Sequence, residues 1–455
     1  MFSNRLKTFI LMGGDLLILY FSLSATLIIR YGISEASELW NRHFAPFTIV
    51  YLIWIIVFYI IGLYENGRRK NSLSFYSLAV KAMITNSIIA VIFFYFIFYS
   101  EISPKRILFI NIVIFCFLFF LWRKLYSKII SSSAALNNLL IIGINSQSLK
   151  IINQVAKNPN FGYKLIGVVG NNSSGLPAEI EFISSENLNL PDIIKKEKIQ
   201  TIVNSDSKNQ SKIISELYKS LSYKVRILGL SNFYEELNKK IHINLINEIW
   251  FLENLKEGEK KIYEFGKRIA DIALACIGLI LSFPFLPFLA LIIKIDSDGH
   301  LFFTQIRTGK NGKKFLAVKL RTMEKNAEKE GPQLAKINDP RVTKIGKFLR
   351  KSRVDEIPQL LNVLRGEMSF IGPRPERPEF INKLKKQIPF YRQRLIIKPG
   401  LTGCDQISGS YHSASQQDSL EKLQYDLYYI KNRSFALDLD ILLKTVNIIL
   451  KRQGR

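Results

Sequence analysis

Hydrophobic and polar positions divide the chain into a strongly apolar first quarter and a more polar remainder. Four apolar stretches near the start are long enough to cross a bilayer, which needs about 20 helical residues. These stretches are residues 9–29, 47–64, 83–100 and 107–122. Lysine and arginine cluster before the first, after the second and after the fourth stretch, so the positive-inside rule places the N terminus and everything after residue 123 in the cytoplasm.

Asp15 lies inside the first apolar stretch, where a charged side chain is costly in lipid. The sequence therefore predicts either a structural polar contact with other helices or a role in handling substrate.

Short apolar runs alternate with helical patterns between residues 136 and 250, and this is typical of a parallel α/β sheet. The first turn, residues 143–148, reads Gly-Ile-Asn-Ser-Gln-Ser and lacks the GxGxxG fingerprint of a dinucleotide site. Two interpretations of this domain stay open: a cofactor site, or a regulatory or dimerising domain.

Another apolar run covers about residues 267–294, and Pro284 and Pro287 interrupt it. Each proline removes a backbone donor and breaks a helix. A full crossing would place the basic residues 300–455 outside the cell, against the positive-inside rule. We therefore predict a re-entrant helix that enters one leaflet and returns, with a kinked full span as the alternative.

Charge and cysteine usage narrow the class of protein. The chain of 455 residues has a formal net charge of +26, and its basic residues lie beside membrane-seeking segments. This favours an anionic lipid or substrate as partner, and we expect no nucleic acid, because no nucleic-acid motif is present. The three cysteines show no paired spacing, which excludes a disulfide framework and a zinc site.

The acidic pair Asp355-Glu356 stands in a stretch dense with arginine. The arginines of this stretch are Arg350, Arg353, Arg365, Arg374 and Arg377. Guanidinium groups match phosphate oxygens, and a carboxylate among them stays ionised and can hold Mg²⁺ or act as a nucleophile. The alternative is an acidic helix start with ordinary surface salt bridges.

Upstream of the pair, a glycine turn at residues 309–312 joins two strand-like stretches that carry Arg307, Lys319 and Arg321. Period-two alternation puts Lys319 and Arg321 on one face, so the two could grip a single anion. A solvated hairpin is the alternative. Downstream, residues 381–403 mix basic and apolar positions, which predicts an interfacial membrane helix or, alternatively, core packing.

Residues 262–455 resemble the bacterial sugar transferase domain of polyprenyl-phosphate phosphoglycosyl transferases. The resemblance rests on a series of motifs in order: KIDSDG, FFTQIRTGKNGKKF, KLRTM, NDPRVTKIGKFLRKSRVDEIPQLLNVLRGEMSFIGPRPE, KPGLTG and YDLYYIKNRS. The upstream layout is similar to the long forms that start exopolysaccharide, capsule or O-antigen synthesis. The chain departs from the family pattern at His300, where Pro is usual, and at Ser410, where the TGxxQxxGR motif ends in Arg.

The resemblance implies a mechanism. A UDP-sugar would bind with Mg²⁺, and Asp355 would attack the sugar-bearing phosphorus and expel UMP. Undecaprenyl phosphate would then take the sugar phosphate from the enzyme. Glu356 would hold the metal. Phosphate contacts are expected from Arg350, Lys319, Arg321, Arg374 and Arg307, and the membrane break from Ser282, Pro284 and Pro287.

The expected fold is a membrane protein of the α plus α/β class in three parts. These parts are a four-helix transmembrane bundle at 1–128, a Rossmann-like domain at 136–250 and a mostly helical monotopic catalytic domain at 262–455. A homodimer in the bacterial plasma membrane, with the catalytic domain on the cytoplasmic face, is expected. Two alternatives are a catalytically idle scaffold that recruits glycan-assembly enzymes and a basic binder of nucleic acid or anionic lipid.

Overall fold

The computed structural model describes residues 4–64, 73–97, 105–131, 136–158, 161–185, 188–205, 211–324, 327, 339–408 and 415–450. The chain forms two compact units, Met1–Phe233 and Tyr234–Arg455.

The first unit contains long apolar helices followed by a small sheet. Its helices are α1 (Asn4–Ile61), α2 (Leu73–Ile92), α3 (Lys105–Ser131), α4 (Ser146–Lys157), α5 (Leu190–Glu197), α6 (Ser211–Ser220) and α7 (Leu230–Asn238), which contains the boundary. Its strands are β1 (Asn137–Ile142), β2 (Tyr163–Gly170), β3 (Glu181–Ser184), β4 (Thr201–Asn204) and β5 (Arg226–Gly229).

Helix α1 contains the first two predicted spans. It would measure about 87 Å if straight, far more than the roughly 30 Å of a hydrocarbon core, but the backbone leaves helical geometry at Gly32, where φ is 81°. A loop near residues 31–46 is expected between the first two predicted spans, but the chain returns to helix directly after this glycine and passes through Pro46. A single residue with a positive φ is enough to separate the two spans.

Four helical segments of the described residues are long and apolar enough to cross a membrane. They are Thr8–Ile61, Phe75–Phe96, Arg106–Lys128 and Glu248–Asp296.

The buried charge of Asp15 has a structural partner. Its carboxylate lies 2.5 Å from the guanidinium of Arg123 on α3, and the Tyr64 hydroxyl donates to the same oxygen at 2.8 Å. The Arg123 guanidinium also lies over the ring of Phe119, 4.7 Å from its centroid. The expectation of a structural contact is confirmed, since a buried ion pair joins α1 to α3.

The five strands form a parallel sheet in the order β3-β2-β1-β4-β5. The order reverses direction on either side of β1, which is the doubly wound arrangement predicted from the alternating pattern. Strand β1 is buried from Leu139 to Ile142 because it is central, with neighbours on both sides.

The turn after β1 is filled by its own side chains. Asn145 caps α4, accepting from the backbone N–H groups of Gln147 and Ser148, and donates to the Ser205 hydroxyl at 2.6 Å. Ile144 occupies the space beside Gly170, where an added Cβ would lie 2.7 Å from it. The donors that would cradle a pyrophosphate are therefore already engaged, which favours the regulatory or dimerising interpretation.

The second unit is mostly helical. Its helices are α8 (Glu248–Asn254), α9 (Lys261–Ser282), α10 (Leu286–Asp296), α11 (Lys344–Ser352), α12 (Leu360–Arg365), α13 (Pro378–Gln387), α14 (Cys404–Ile407), α15 (Gln416–Asn432) and α16 (Phe435–Leu450). Its strands are the antiparallel hairpin β6 (Phe302–Thr308) and β7 (Lys314–Leu320), and the short parallel pair β8 (Ser369–Ile371) and β9 (Gly400–Thr402).

A 3₁₀ turn at Phe283–Phe285 separates α9 from α10, directly after Ser282 and around the predicted Pro284 and Pro287. The side chains near the break are apolar and exposed: Ile280, Leu281, Phe283, Phe285 and Phe288 are each at least 64% exposed. Such a surface is stable only against an apolar partner.

Both flanks of the broken helix pack on the same polar body. Arg268 donates to the carbonyls of Val363 and Leu364 in α12, and Asp296 accepts from the backbone of Ile345 in α11. A segment whose two ends contact one polar body is consistent with entry and return through one leaflet.

Residues 381–403 do not form an interfacial helix, so that expectation is wrong. Their apolar members Ile381, Ile388, Tyr391 and Ile397 are buried in one core cluster with α15. The basic side chains of α13 occupy its opposite face, as in an ordinary amphipathic helix on a protein core.

Candidate active site

The two adjacent carboxylates lie on a short 3₁₀ helix, Val354–Gln359, between α11 and α12. Arg353 connects it to α11 with a φ of 56°, a left-handed conformation that is uncommon outside glycine. Asp355 and Glu356 occupy the first turn, as the sequence predicts for a pair that opens the second basic helix.

Close packing fixes α11 against the end of the hairpin. A Cβ on Gly346 would lie 2.1 Å from the carbonyl oxygen of Thr322, so only glycine fits. Thr343 caps α11 by accepting from the backbone N–H of Gly346. The dyad is thus held beside β7.

Glu356 is neutralised by three cations. One oxygen lies 2.8 Å from the Lys319 ammonium and 2.7 Å from the Arg374 guanidinium, and the other lies 3.7 Å from Arg353. Burial disfavours the ionised form, but Arg374 and Lys319 outweigh it and hold the pKa of Glu356 well below its usual range. Glu356 is therefore a fixed negative charge.

Asp355 differs from its neighbour. It is 7% exposed, and its carboxylate accepts no hydrogen bond and forms no ion pair within the described part of the chain. Burial raises the pKa of Asp355 to about 6, although Lys319 opposes the shift. At neutral pH about nine-tenths of this carboxyl is ionised, so an unpaired carboxylate lies in a cationic field.

Arg374 reaches Glu356 from a loop that two glycines hold tightly. Strands β8 and β9 pair so closely that a Cβ on Gly400 would lie 2.1 Å from the backbone nitrogen of Gly372. The backbone N–H groups of Gly372 and Gly400 donate to the carbonyls of Thr402 and Pro373. Gly372 of IGPRP and Gly400 of KPGLTG are therefore required for the close pairing of β8 and β9.

Arg394 is a positioning residue that the sequence analysis missed. It is 4% exposed and donates to the Asp426 carboxylate at 2.9 Å, the Tyr391 hydroxyl at 3.0 Å and the Arg374 carbonyl at 3.0 Å. It thereby anchors the backbone of a residue that contacts the dyad. Only its place in a basic run is visible in the sequence, and nothing there distinguishes it from its neighbours.

Arg350 and Arg307 border the same site. Arg350 donates to the Thr322 hydroxyl at 2.8 Å and lies near enough to Asp355 to lower the pKa of that carboxyl. Arg307 donates to the Pro375 carbonyl at 3.0 Å, and burial lowers its own pKa to about 10. Their roles as phosphate contacts stay predictions.

Arg321 does not join Lys319 at a shared anion, so this expectation is wrong. Its guanidinium donates to the carbonyls of His300, Ser297 and Ile293 at the end of α10, and Lys319 turns to Glu356 instead. Ser297 and His300 follow the last residue of α10, where carbonyls lack intrahelical donors. The Ile293 carbonyl also accepts from the backbone N–H of Ser297. Arg321 joins the hairpin to the broken helix.

The site's donor set fits Mg²⁺, because carboxylate oxygens are its preferred protein ligands and Asp355 and Glu356 are adjacent. Within the described ranges no group of three or more His, Cys, Asp or Glu side chains could hold a metal ion.

Comparison with known proteins agrees with this geometry. Residues 262–452 match the family model described as bacterial sugar transferase. An uncharacterized sugar transferase of Haemophilus influenzae is 30% identical over 361 residues, which cover 74% of each chain.

Two relatives carry specific names. The UDP-N-acetylgalactosamine-undecaprenyl-phosphate N-acetylgalactosaminephosphotransferase of Aeromonas hydrophila is 44% identical over 193 residues, which cover 42% of this chain and 45% of that protein. The UDP-glucose:undecaprenyl-phosphate glucose-1-phosphate transferase of Escherichia coli is 40% identical over 181 residues, which cover 40% and 39%. The alignments thus span less than half the length of either enzyme.

Proposed function

The chain belongs to the bacterial sugar transferase family of polyprenyl-phosphate phosphoglycosyl transferases, and we propose that it transfers a sugar 1-phosphate from a UDP-sugar to undecaprenyl phosphate. The observation that carries the proposal is the unpaired, buried carboxylate of Asp355, surrounded by cations that outnumber the carboxylates. The surrounding cations attract an anionic substrate, and the ionised Asp355 carboxylate is available to attack its phosphorus.

The reaction would proceed in two displacements at one phosphorus. An Asp355 oxygen forms a bond to the sugar-bearing phosphorus, and the bond to the bridging oxygen breaks with its electron pair leaving on UMP. An oxygen of undecaprenyl phosphate then attacks the same phosphorus and releases the Asp355 carboxylate. The products are UMP and undecaprenyl diphosphate-sugar. Covalent catalysis of this kind divides one difficult step into two easier ones.

The neighbouring side chains would stabilise the charge in both displacements. Lys319 and Arg374 contact the Glu356 carboxylate in this structure. When the substrate binds, the same two cations would donate to its phosphate oxygens in place of Glu356. Arg394 would hold Arg374 in place through its carbonyl. Mg²⁺, held by Glu356, would neutralise the diphosphate when bound.

The broken helix would bring donor and acceptor together. Its exposed apolar surface suits lipid, and both of its flanks pack on the body that carries the dyad. We infer that α9 and α10 enter the cytoplasmic leaflet and return. The dyad would then lie at the interface, where a soluble nucleotide-sugar and a lipid phosphate both have access.

The test is UMP release by purified full-length protein with Mg²⁺ and undecaprenyl phosphate. UDP-glucose and UDP-N-acetylgalactosamine lead the donor panel, because they are named for the relatives above. Repeated turnover that depends on donor, acceptor and Asp355 would support the proposal, whereas the first UMP per enzyme needs no acceptor. Normal release by Asp355→Asn would contradict the mechanism, and no release from any UDP-sugar would favour an idle scaffold.

A further inference from the structure

Gln359 carries a buried amide nitrogen that has no hydrogen-bond acceptor among the described residues. It ends the 3₁₀ helix of the dyad, is 3% exposed, and its Nε2 donates to no acceptor among the described residues. A buried donor without an acceptor is destabilising, and such groups are rare in folded proteins. The structure around Gln359 therefore maintains a polar group that the fold itself does not use.

The helix geometry places this amide on the face of Glu356. Side chains three residues apart are eclipsed in a 3₁₀ helix, with a rise of about 2 Å per residue. Gln359 follows Glu356 by three positions in this helix, so we infer that its side chain starts from the same face as the Glu356 carboxylate, which Lys319 and Arg374 contact.

Asn362 shows what a structural amide looks like in the same segment. It is fully buried, and its Nδ2 donates to the Leu316 carbonyl at 2.8 Å and to Glu367 at 2.6 Å. Its oxygen accepts from the backbone N–H of Val318 at 3.4 Å. Asn362 ties α12 to β7 with both ends of its amide, whereas the Gln359 Nε2 has no acceptor among the described residues.

We propose that Gln359 binds the donor substrate, with its Nε2 donating a hydrogen bond to an oxygen on the sugar-phosphate half of the UDP-sugar. The inference rests on the proposed function. The amide is neutral, so it adds no charge to a site already rich in cations, and it discriminates by hydrogen bonding alone. A buried donor of this kind favours a substrate with an acceptor at that point over an analogue without one.

The experiment compares Gln359→Leu with Asn362→Leu in the full-length protein. Both substitutions replace a buried amide with an apolar side chain. Gln359→Leu should raise the KM for the UDP-sugar about tenfold, the equivalent of one hydrogen bond, with no fall in the thermal unfolding midpoint. Asn362→Leu should lower that midpoint, because the β7 backbone and Glu367 lose their partners.

Direct binding separates this inference from the proposed function. The Asp355→Asn substitution removes turnover, so binding can be measured alone. In this background, the Kd of UDP-glucose, of UDP-N-acetylgalactosamine and of UMP is measured separately, with and without Gln359→Leu. A weaker Kd for a UDP-sugar with an unchanged Kd for UMP supports the contact. Unchanged UDP-sugar binding, an equal loss for UMP, or a midpoint that falls as in Asn362→Leu would overturn it, whether or not the wild type turns over.

Discussion

The turn after β1 and the 3₁₀ helix of the dyad are both polar turns where a phosphate could sit, yet their polar groups are used differently. In the first, Asn145 takes up the free backbone donors of α4 and Ile144 fills the adjacent space. In the second, Asp355 accepts no hydrogen bond from the described residues, and Glu356 holds the nearby Lys319 and Arg374. A binding site requires polar groups that the fold has not already satisfied.

The two turns also differ in how their polar side chains affect the stability of the fold. The Asn145 cap stabilises its helix, as a side chain that satisfies backbone donors does. The buried Asp355 carboxylate is destabilising at neutral pH, since its folded pKa of about 6 lies above the usual value for aspartate. Groups kept in an unfavourable state by a fold are more often functional than groups in a favourable one.

The strongest test of this contrast removes one polar side chain from each turn. Asp355→Asn should lower UMP release by about 10³-fold or more, because the nucleophile is lost. Asn145→Ala should leave the rate within about twofold of wild type, since no reacting group is touched. Steady-state UMP release by both variants in the same membrane preparation checks this. A large loss in Asn145→Ala would make the first turn part of the active site.

Removal of a cation should have a smaller effect than removal of the nucleophile. Arg374→Ala should lower kcat by about 10²-fold, the usual cost of one charge-stabilising donor. Arg377→Ala, in the same loop, is the matched control and should cost much less. Rapid-quench measurement of UMP formation would check both values. Equal losses would indicate that the loop, rather than the Arg374 guanidinium, is responsible.

The fall in the rate of UMP formation at acidic pH should follow protonation of the Asp355 carboxylate. Only the ionised carboxylate attacks, so the rate of UMP formation should fall about tenfold for each pH unit below about 6. Lys319 holds the pKa of Asp355 down, so Lys319→Ala should move this fall to higher pH. A pH–rate series for the two proteins checks the direction, and a fall that stays in place or moves to lower pH would contradict the assignment.

The smallest expected effects are on stability, and they have opposite signs. Asp355→Asn should stabilise the fold by about 3 kcal/mol at pH 7, because a raised carboxyl pKa removes stability as pH rises from about 4 to 6. Asn145→Ala should destabilise by about 1 kcal/mol through loss of the α4 cap. Thermal unfolding of the full-length variants at pH 7 and pH 5 would detect both. The gain in Asp355→Asn should shrink at pH 5.

The features that depend on local periodicity were predictable from the sequence. The parallel sheet follows from alternating runs, the break between α9 and α10 from Pro284 and Pro287, and the dyad from two acidic residues among arginines. Each of these depends on neighbours within a few positions of the chain.

The features that the sequence did not reveal depend on which distant groups compete for a side chain. Period-two alternation puts Arg321 and Lys319 on one face, but β7 ends at Leu320; carbonyls near the end of α10 engage Arg321, and Glu356 engages Lys319. Arg394 is one basic residue among several until Asp426, Tyr391 and the Arg374 carbonyl surround it. Composition alone does not separate a membrane-facing basic helix from α13, which packs on the core.

The central claim is that the Asp355 carboxylate forms the bond to phosphorus, and trapping that bond tests it most directly. Full-length protein is incubated with UDP-glucose or UDP-N-acetylgalactosamine in the absence of undecaprenyl phosphate, quenched, digested and analysed by mass spectrometry. We expect a burst of UMP that matches the amount of enzyme, and a sugar-phosphate mass on the peptide that contains Asp355. UMP release that strictly requires the lipid acceptor, with Asp355 unmodified, would contradict it.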